Sequence, residues 1–154
     1  MLTDDERYMK MALEEARAAG AAGEVPIGAV VVANGRVLGR GHNLTESLHD
    51  VTAHAEMQAI TAASQTCGGK YLDSATLYVT VEPCLMCAGA IGWSQLRRIV
   101  YGAPDAKRGF STYMAAGKGP FHPKAAVTAG VLEGECAELM RDFFAARRKQ
   151  KRNS

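Results

Sequence analysis

The stretch TLYVTVEPCLMCAGAIGW, residues 76–93, decides the fold of this 154-residue chain. Its first six residues predict a β-strand, because β-branched and aromatic side chains are typical of strands. Pro83 ends that strand and is well placed in the first turn of a helix, which we expect from about Cys84 to Trp93. A strand that runs directly into a helix is typical of α/β proteins. Ligands in such proteins bind where strands end and helices begin.

Strands and helices also alternate on either side of this stretch. The expected strands cover residues 27–33, 36–41, 98–102 and 126–128, and the expected helices cover residues 4–20, 52–68 and 133–148. Asn34 and Gly35 form a strong hairpin signal, so the first two strands should be antiparallel. Polar loops are expected around Asn43 and over residues 104–123. The sequence therefore predicts an α/β fold: a three-layer α/β/α domain with a mixed, about five-stranded sheet.

Length and composition indicate a single domain over residues 1–154. The chain is 47% hydrophobic and 22% charged, which excludes wholesale disorder. The acidic start differs from a signal peptide, and no run of 18 apolar residues predicts a transmembrane helix. We therefore expect a cytoplasmic protein without a membrane partner. In that reducing compartment the four cysteines should be ligands, nucleophiles or core residues rather than disulfides.

Basic residues concentrate at the end of the chain, where no acidic residue follows Asp142. They are Arg147, Arg148, Lys149, Lys151 and Arg152. Such an end can neutralise phosphates. It can equally be a solvated helix terminus that complements the helix dipole and frays from about residue 149. The pattern leaves both interpretations open.

One constellation indicates a metal site: His54-x-Glu56 and, further along, Cys84-x-x-Cys87. Zinc takes imidazole nitrogen and thiolate sulfur in tetrahedral geometry. The two cysteines lie within one helical turn, so both sulfurs can reach one ion. Three protein ligands leave one position for water, which is the arrangement of a catalytic site. The sequence therefore predicts one Zn²⁺ per chain, held by His54, Cys84 and Cys87.

Glu56 fits a role in proton transfer. Residues two apart do not share a helix face, so Glu56 is not expected as a second ligand beside His54. A carboxylate next to a metal can take a proton from water and return it to a leaving group. The pattern indicates metal-assisted hydrolysis. A redox Cys-x-x-Cys pair is the alternative, but it would leave His54 and Glu56 unexplained.

The strings TAHAE at residues 52–56, VEPCLMCAGA at 81–90 and EVPIGAV at 24–30 resemble the zinc-dependent nucleobase deaminases. Within the cytidine deaminase superfamily the likeness is greatest to the bacterial enzymes that act on adenosine in tRNA. The resemblance implies a homodimer that converts adenosine to inosine at the wobble position of a tRNA anticodon stem-loop. It implies Glu56 as the proton shuttle. It also implies substrate contacts at Asn43, Ala55, Ile27, Asp105 and Lys107.

The chain departs from that pattern at several positions. His42 and Val51 replace a tryptophan and a proline found in many relatives, and Arg108-Gly109-Phe110 replaces smaller residues. Because the segment before Trp93 is also similar to deaminases of free guanine or cytosine, such an enzyme is the first alternative. A non-catalytic RNA-binding subunit with the same fold is the second. A purely structural site would have no use for Glu56, which argues against it.

Overall fold

The computed structural model describes residues 1–114 and 119–153, and in these the elements alternate as expected. The strands are β1 (Gly28–Ala33), β2 (Arg36–His42), β3 (Thr76–Val81), β4 (Arg98–Ala103) and β5 (Ala126–Ala129). The helices are α1 (Asp4–Ala21), α2 (Thr45–Leu48), α3 (Ala55–Cys67), α4 (Leu85–Trp93), α5 (Phe110–Tyr113) and α6 (Glu133–Arg152). Among the described residues, no helix is both long and apolar enough to cross a membrane.

The strands form one mixed sheet in the order β2-β1-β3-β4-β5. β1 pairs antiparallel with β2 and β3, whereas β3, β4 and β5 run parallel to one another. The predicted mixed five-stranded sheet is confirmed. The Asn34-Gly35 hairpin is confirmed as well, because both residues have the positive φ angles, 52° and 73°, that a tight type I′ turn requires.

Alternate residues of the central strands enter two separate cores. On one face, Val31, Leu77 and Ile99 pack with the small residues of α3 and with Ile91 of α4. On the other face, Val30 and its neighbours pack against α1 and α6. Since side chains alternate across a strand, this division places helices on both faces of the sheet. The predicted three-layer architecture is confirmed.

Close packing of α3 on β2 sets the position of the first residues of that helix. A Cβ atom on Gly41 would lie 2.6 Å from the backbone nitrogen of Ala59 and 2.8 Å from the carbonyl oxygen of Ala55. The glycine therefore lets helix and strand backbones approach closely. The start of α3 consequently lies beside the end of β2, where Asn43 follows.

Some local expectations were wrong. Pro83 does not lie in the first turn of α4, because Cys84 is the N-cap with an extended backbone (ψ 174°). The chain stays extended there because the Phe110 N–H donates to the Pro83 carbonyl and Cys84 bridges to Gly109. The one-turn helices α2 and α5 lie in segments expected as loops, and residues 115–118 of the second loop lie outside the described residues. Helix α6 continues past residue 148, since the good helix formers there contain no breaker.

Candidate active site

Three side chains converge where two helices begin. His54 is the N-cap of α3, Cys84 is the N-cap of α4, and Cys87 lies in the first turn of α4. The His54 Nδ1 atom lies 3.6 Å from the Cys84 Sγ and 3.5 Å from the Cys87 Sγ. One ligand atom from each residue lies within 4.8 Å of the others. The structure thus brings together the three residues that the sequence predicted as metal ligands.

The geometry of this group fits a tetrahedral ion. Zn–N bonds of about 2.0 Å and Zn–S bonds of about 2.3 Å at a tetrahedral angle place nitrogen and sulfur about 3.5 Å apart. The two nitrogen–sulfur separations in the structure have this length. His54 and Cys84 are partly exposed while Cys87 is buried, so the group is open on one side. Residues 54, 84 and 87 could therefore hold a metal ion with one position left for a small ligand.

The electrostatics of the two thiols also suit a cation. Hydrogen bonds from Cys87 and His54 lower the pKa of the Cys84 thiol to about 4, against the effect of burial. The hydrogen bond to Cys84, together with burial, raises the pKa of Cys87 above its usual range. The hydrogen bond with Cys84 raises the pKa of His54. At neutral pH Cys84 is therefore the thiolate of the two cysteines. A bound cation would favour deprotonation of Cys87 as well.

Glu56 lies in the first turn of α3 beside this group. Its side chain is buried, with 4% of its surface exposed. Burial raises the pKa of Glu56 to about 7, against a backbone hydrogen bond and the nearby His54. A carboxyl group with such a pKa can both take up and release a proton at neutral pH. Glu56 thus lies next to the three grouped residues, and its role in proton transfer stays a prediction.

The loop that carries Asn43 borders the group on the α3 side. The Leu44 N–H donates to the carbonyl of Ala53, the residue before His54. Asn43 is buried: its Oδ1 accepts from the Thr45 N–H at 3.1 Å, and its Nδ2 lies 3.4 Å from the Val25 carbonyl. Contacts with Thr45 on the same loop and with Val25 before β1 therefore orient this amide.

Two further residues predicted to contact substrate lie close to Asn43. The carbonyl of Ile27 accepts from the Asn43 N–H at 3.1 Å, and the Ile27 side chain is half-buried against the core. Ala55 is the first residue of α3 and its side chain is fully buried. The whole residue is buried in the core, so the structure leaves no surface of Ala55 exposed.

A second loop, residues 105–113, borders the group on the α4 side. It is tied to the segment before Cys84 by the hydrogen bond from Phe110 to Pro83. The Asp105 carboxylate accepts from the N–H groups of Lys107 and Arg108, both at 3.0 Å. Asp105 thus shapes the turn, while the Lys107 side chain is exposed to solvent.

His42 points away from this site. Its Nδ1 lies 2.9 Å from the Glu15 Oε1 on α1, which packs on the sheet face opposite α3. His42 therefore contributes to the contact between β2 and α1 rather than to the metal-binding group.

Sequence reasoning assigned no role to two buried glutamates, Glu24 and Glu82. Each carboxylate accepts three hydrogen bonds from the loops described above. Burial opposes the charge of Glu24, yet hydrogen bonds from Ser47 and Glu46 lower the pKa of this carboxyl below its usual value. The signal that could have found them is the position of each acidic residue beside an apolar strand. Such a position is compatible with a buried carboxylate that accepts hydrogen bonds, but it does not identify the donors.

The class of the protein follows from comparison with known families. The family model of the MafB19-like deaminases matches residues 3–148, most of the chain. The fold and the site described above thus belong to a deaminase.

Full-length relatives narrow the class. The tRNA-specific adenosine deaminase of Bacillus subtilis is 46% identical over 98% of this chain and 95% of its own length. A solved tRNA:A34 deaminase, which edits A to I at the wobble position, superposes with a TM-score of 0.80 at 46% identity, covering 86% of this chain and 98% of that one. The chain belongs to the tRNA-specific adenosine deaminase family.

A second kind of deaminase shares the fold at lower sequence identity. The guanine deaminase of Nitrosomonas europaea superposes with a TM-score of 0.80 at 27% identity, covering 94% of this chain and 87% of that one. Fold similarity alone therefore does not separate the two substrates.

Proposed function

We propose that this protein is a zinc-dependent hydrolytic deaminase that converts adenosine to inosine at the wobble position of a tRNA anticodon. The observation that carries the proposal is the convergence of His54, Cys84 and Cys87 at two helix N-termini, with buried Glu56 beside them. We assign the first three residues as zinc ligands and Glu56 as the general acid and base, within one deaminase domain. A tRNA substrate is consistent with a cytoplasmic protein.

The reaction exchanges one amino group for one oxygen. Zinc held by the three ligands would supply an activated water at neutral pH for attack on C6 of the adenine ring. Glu56 takes a proton from that water and delivers it to N1. Glu56 then takes the proton of the new C6 hydroxyl and passes it to the amine as the C6–N bond breaks, so that adenosine and water yield inosine and ammonia. A buried carboxyl with a pKa of about 7 suits both transfers.

Recognition of the substrate falls to the two loops beside the pocket. The anticodon loop presents an unpaired base, which lowers the cost of moving it out of its stack. We assign Asn43 to the edge of the target base, with Ile27 and Ala55 on the same side. Asp105 and Lys107 face the flanking RNA. The basic end of α6 is a candidate for phosphate contacts.

Sequence identity favours adenosine in tRNA over free guanine. The solved tRNA:A34 deaminase and the guanine deaminase superpose with the same TM-score, but their identities to this chain are 46% and 27%. Substrate preference depends on local residues rather than on the fold. Free guanine or cytosine is therefore the second candidate substrate.

We also propose that the protein is a homodimer through the face formed by α3 and α4. Trp93 is 84% exposed there, beside the exposed Tyr71 and a groove that Ile60 also lines. An exposed tryptophan next to an apolar groove is typical of an interface. Sedimentation should show a dimer for the native chain and a monomer for Trp93→Asp. A monomeric native chain would contradict the proposal.

One experiment tests the proposed activity. The pure, zinc-loaded protein is incubated separately with an adenosine-containing anticodon stem-loop, adenosine, guanine and cytosine, and the released ammonia and the product are measured. We expect inosine in the stem-loop and little turnover of the other three compounds. Efficient turnover of guanine without inosine in the RNA would support the second candidate instead.

A further inference from the structure

Two buried carboxylates lie beside the active site and have no part in the reaction described above. Glu24 is fully buried and Glu82 is 5% exposed. A buried carboxylate destabilises the fold unless charge or hydrogen bonds compensate for its lost hydration. Each of these carboxylates therefore needs hydrogen-bond donors. The residues that supply the donors show which part of the molecule the carboxylate holds in place.

All the donors to Glu24 come from the loop that carries Asn43. Its Oε1 accepts from the Glu46 N–H at 3.0 Å, and its Oε2 accepts from the Ser47 N–H at 2.7 Å and the Ser47 Oγ–H at 2.6 Å. The N–H of Thr45, one residue earlier, donates to the side chain of Asn43. The first three N–H groups of α2 are thus bound by Asn43 and Glu24 together.

The donors to Glu82 come from the other loop in the same arrangement. Its Oε1 accepts from the Asp105 N–H at 3.1 Å, and its Oε2 accepts from the Ser111 N–H at 2.9 Å and the Ser111 Oγ–H at 2.5 Å. Gly109 leaves the space for this carboxylate, since a Cβ there would lie 2.3 Å from the Glu82 Cδ. The loop is therefore built around the glutamate.

Both loops are also fastened to the segments that carry the ligands. Leu44 donates to the carbonyl next to His54, and Phe110 donates to the carbonyl next to Cys84. Each loop is thus hydrogen-bonded both to a segment that carries a predicted ligand and to a buried glutamate. Together these hydrogen bonds fix the position of each loop relative to the metal-binding group.

We propose that Glu24 and Glu82 are a pair of positioning residues, which hold the two substrate-facing loops in register with the catalytic pocket. Each offers acceptors only, and each faces three donors. A glutamine in either place would bring an NH₂ group toward N–H or O–H donors, so the charge as well as the shape matters. The proposal rests on the proposed function, because that function makes these loops the substrate contacts.

The test uses Glu24→Gln and Glu82→Gln in the zinc-loaded chain, with two exposed glutamates of α6 as matched controls, Glu133→Gln and Glu138→Gln. Zinc content, the midpoint of thermal unfolding and stem-loop kinetics are measured for each variant. Ser47→Ala and Ser111→Ala serve as milder variants, because each removes one hydroxyl donor and leaves the carboxylate with two N–H donors.

We expect the two loops to affect different kinetic parameters. Glu24→Gln should lower kcat for the stem-loop by roughly 10- to 100-fold with KM little changed, because misplacing a reacting group by about 1 Å has this effect. Glu82→Gln should mainly raise KM, because its loop faces the flanking RNA. The serine variants should shift the same parameters severalfold, and the controls should match the native protein. Lower unfolding midpoints with unchanged kinetics per zinc-loaded site would overturn the proposal.

Amide hydrogen exchange gives a readout that needs no substrate. Exchange should accelerate over residues 43–48 in Glu24→Gln and over residues 105–113 in Glu82→Gln. Unchanged exchange, or acceleration throughout the chain, would overturn the proposal. A native protein that forms no inosine would instead refute the proposed function, and the exchange data alone would then show whether the carboxylates hold the loops.

Discussion

The catalytic pocket and the two loops beside it are held in place by different means. Cys87 and Glu56 are buried; α3 packs directly on the sheet, and α4 joins the same core through Ile91. The loops depend instead on a small number of hydrogen bonds, centred on Glu24 and Glu82. Packing fixes a position more rigidly than a few polar contacts do, since a close-packed core resists displacement. The positions of the three grouped residues and Glu56 should therefore be insensitive to small changes in the loops, while the placement of the substrate over them should depend on the loops.

The largest expected effect comes from removing a ligand. Cys87→Ala should abolish zinc binding and turnover and lower the unfolding midpoint, because closure of a metal site is coupled to folding. Elemental analysis measures the zinc content and thermal unfolding measures the midpoint. Cys67→Ala, at an exposed cysteine, is the control. A metal-free Cys87→Ala protein with native activity would contradict the ligand assignment.

A similar loss of activity without loss of metal should follow from Glu56→Ala. The variant should keep its zinc and its affinity for the stem-loop, whereas kcat should fall by about 10²- to 10⁴-fold or more, because one group performs both proton transfers. Single-turnover kinetics with saturating RNA measures the chemical step. Native turnover by this variant would rule out Glu56 as the proton shuttle.

A smaller effect is expected where pocket and loop meet, at Asn43. Asn43→Ala should lower kcat for the stem-loop about tenfold, the loss expected for one hydrogen bond to the base edge. It should also lower the unfolding midpoint slightly, since the side chain accepts from Thr45. RNA binding titrations at several salt concentrations should show the native slope of log affinity against log salt, because the proposed partner of Asn43 is the base and not a phosphate. A change in that slope would indicate that Asn43 contacts the RNA backbone rather than the base.

The smallest effect on the chemical step is expected at the basic positions. Removing residues 147–154 should weaken stem-loop binding and its dependence on salt. The slope of log affinity against log salt should become shallower by about 0.7 to 0.9 for each phosphate that the shortened chain no longer neutralises. Lys107→Ala should act in the same direction, by the amount expected for a single phosphate. The rate at saturating RNA should stay native in both. An unchanged slope after the truncation would show that the end of α6 is a solvated helix terminus.

The same contrast explains what could be predicted from the sequence. The grouping of His54, Cys84 and Cys87 could be predicted from the sequence, because two cysteines three residues apart and a histidine at a helix start form a recognisable metal-binding pattern. The partners of Glu24 lie 22 and 23 residues away, and those of Glu82 lie 23 and 29 away. They belong to one-turn helices and short loops that show no periodicity. The N-cap position of Cys84 likewise depends on a distant partner, the loop at Gly109.

The central claim, deamination of one adenosine placed by the loops over the pocket, has a direct test. An anticodon stem-loop with adenosine at the wobble position and a second adenosine elsewhere in the loop is incubated with the zinc-loaded protein. The site of each inosine and the ammonia released are then measured. The account predicts inosine at the wobble position alone, with one ammonia per inosine. Equal conversion of both adenosines, or ammonia release from free guanine with the RNA left intact, would contradict it.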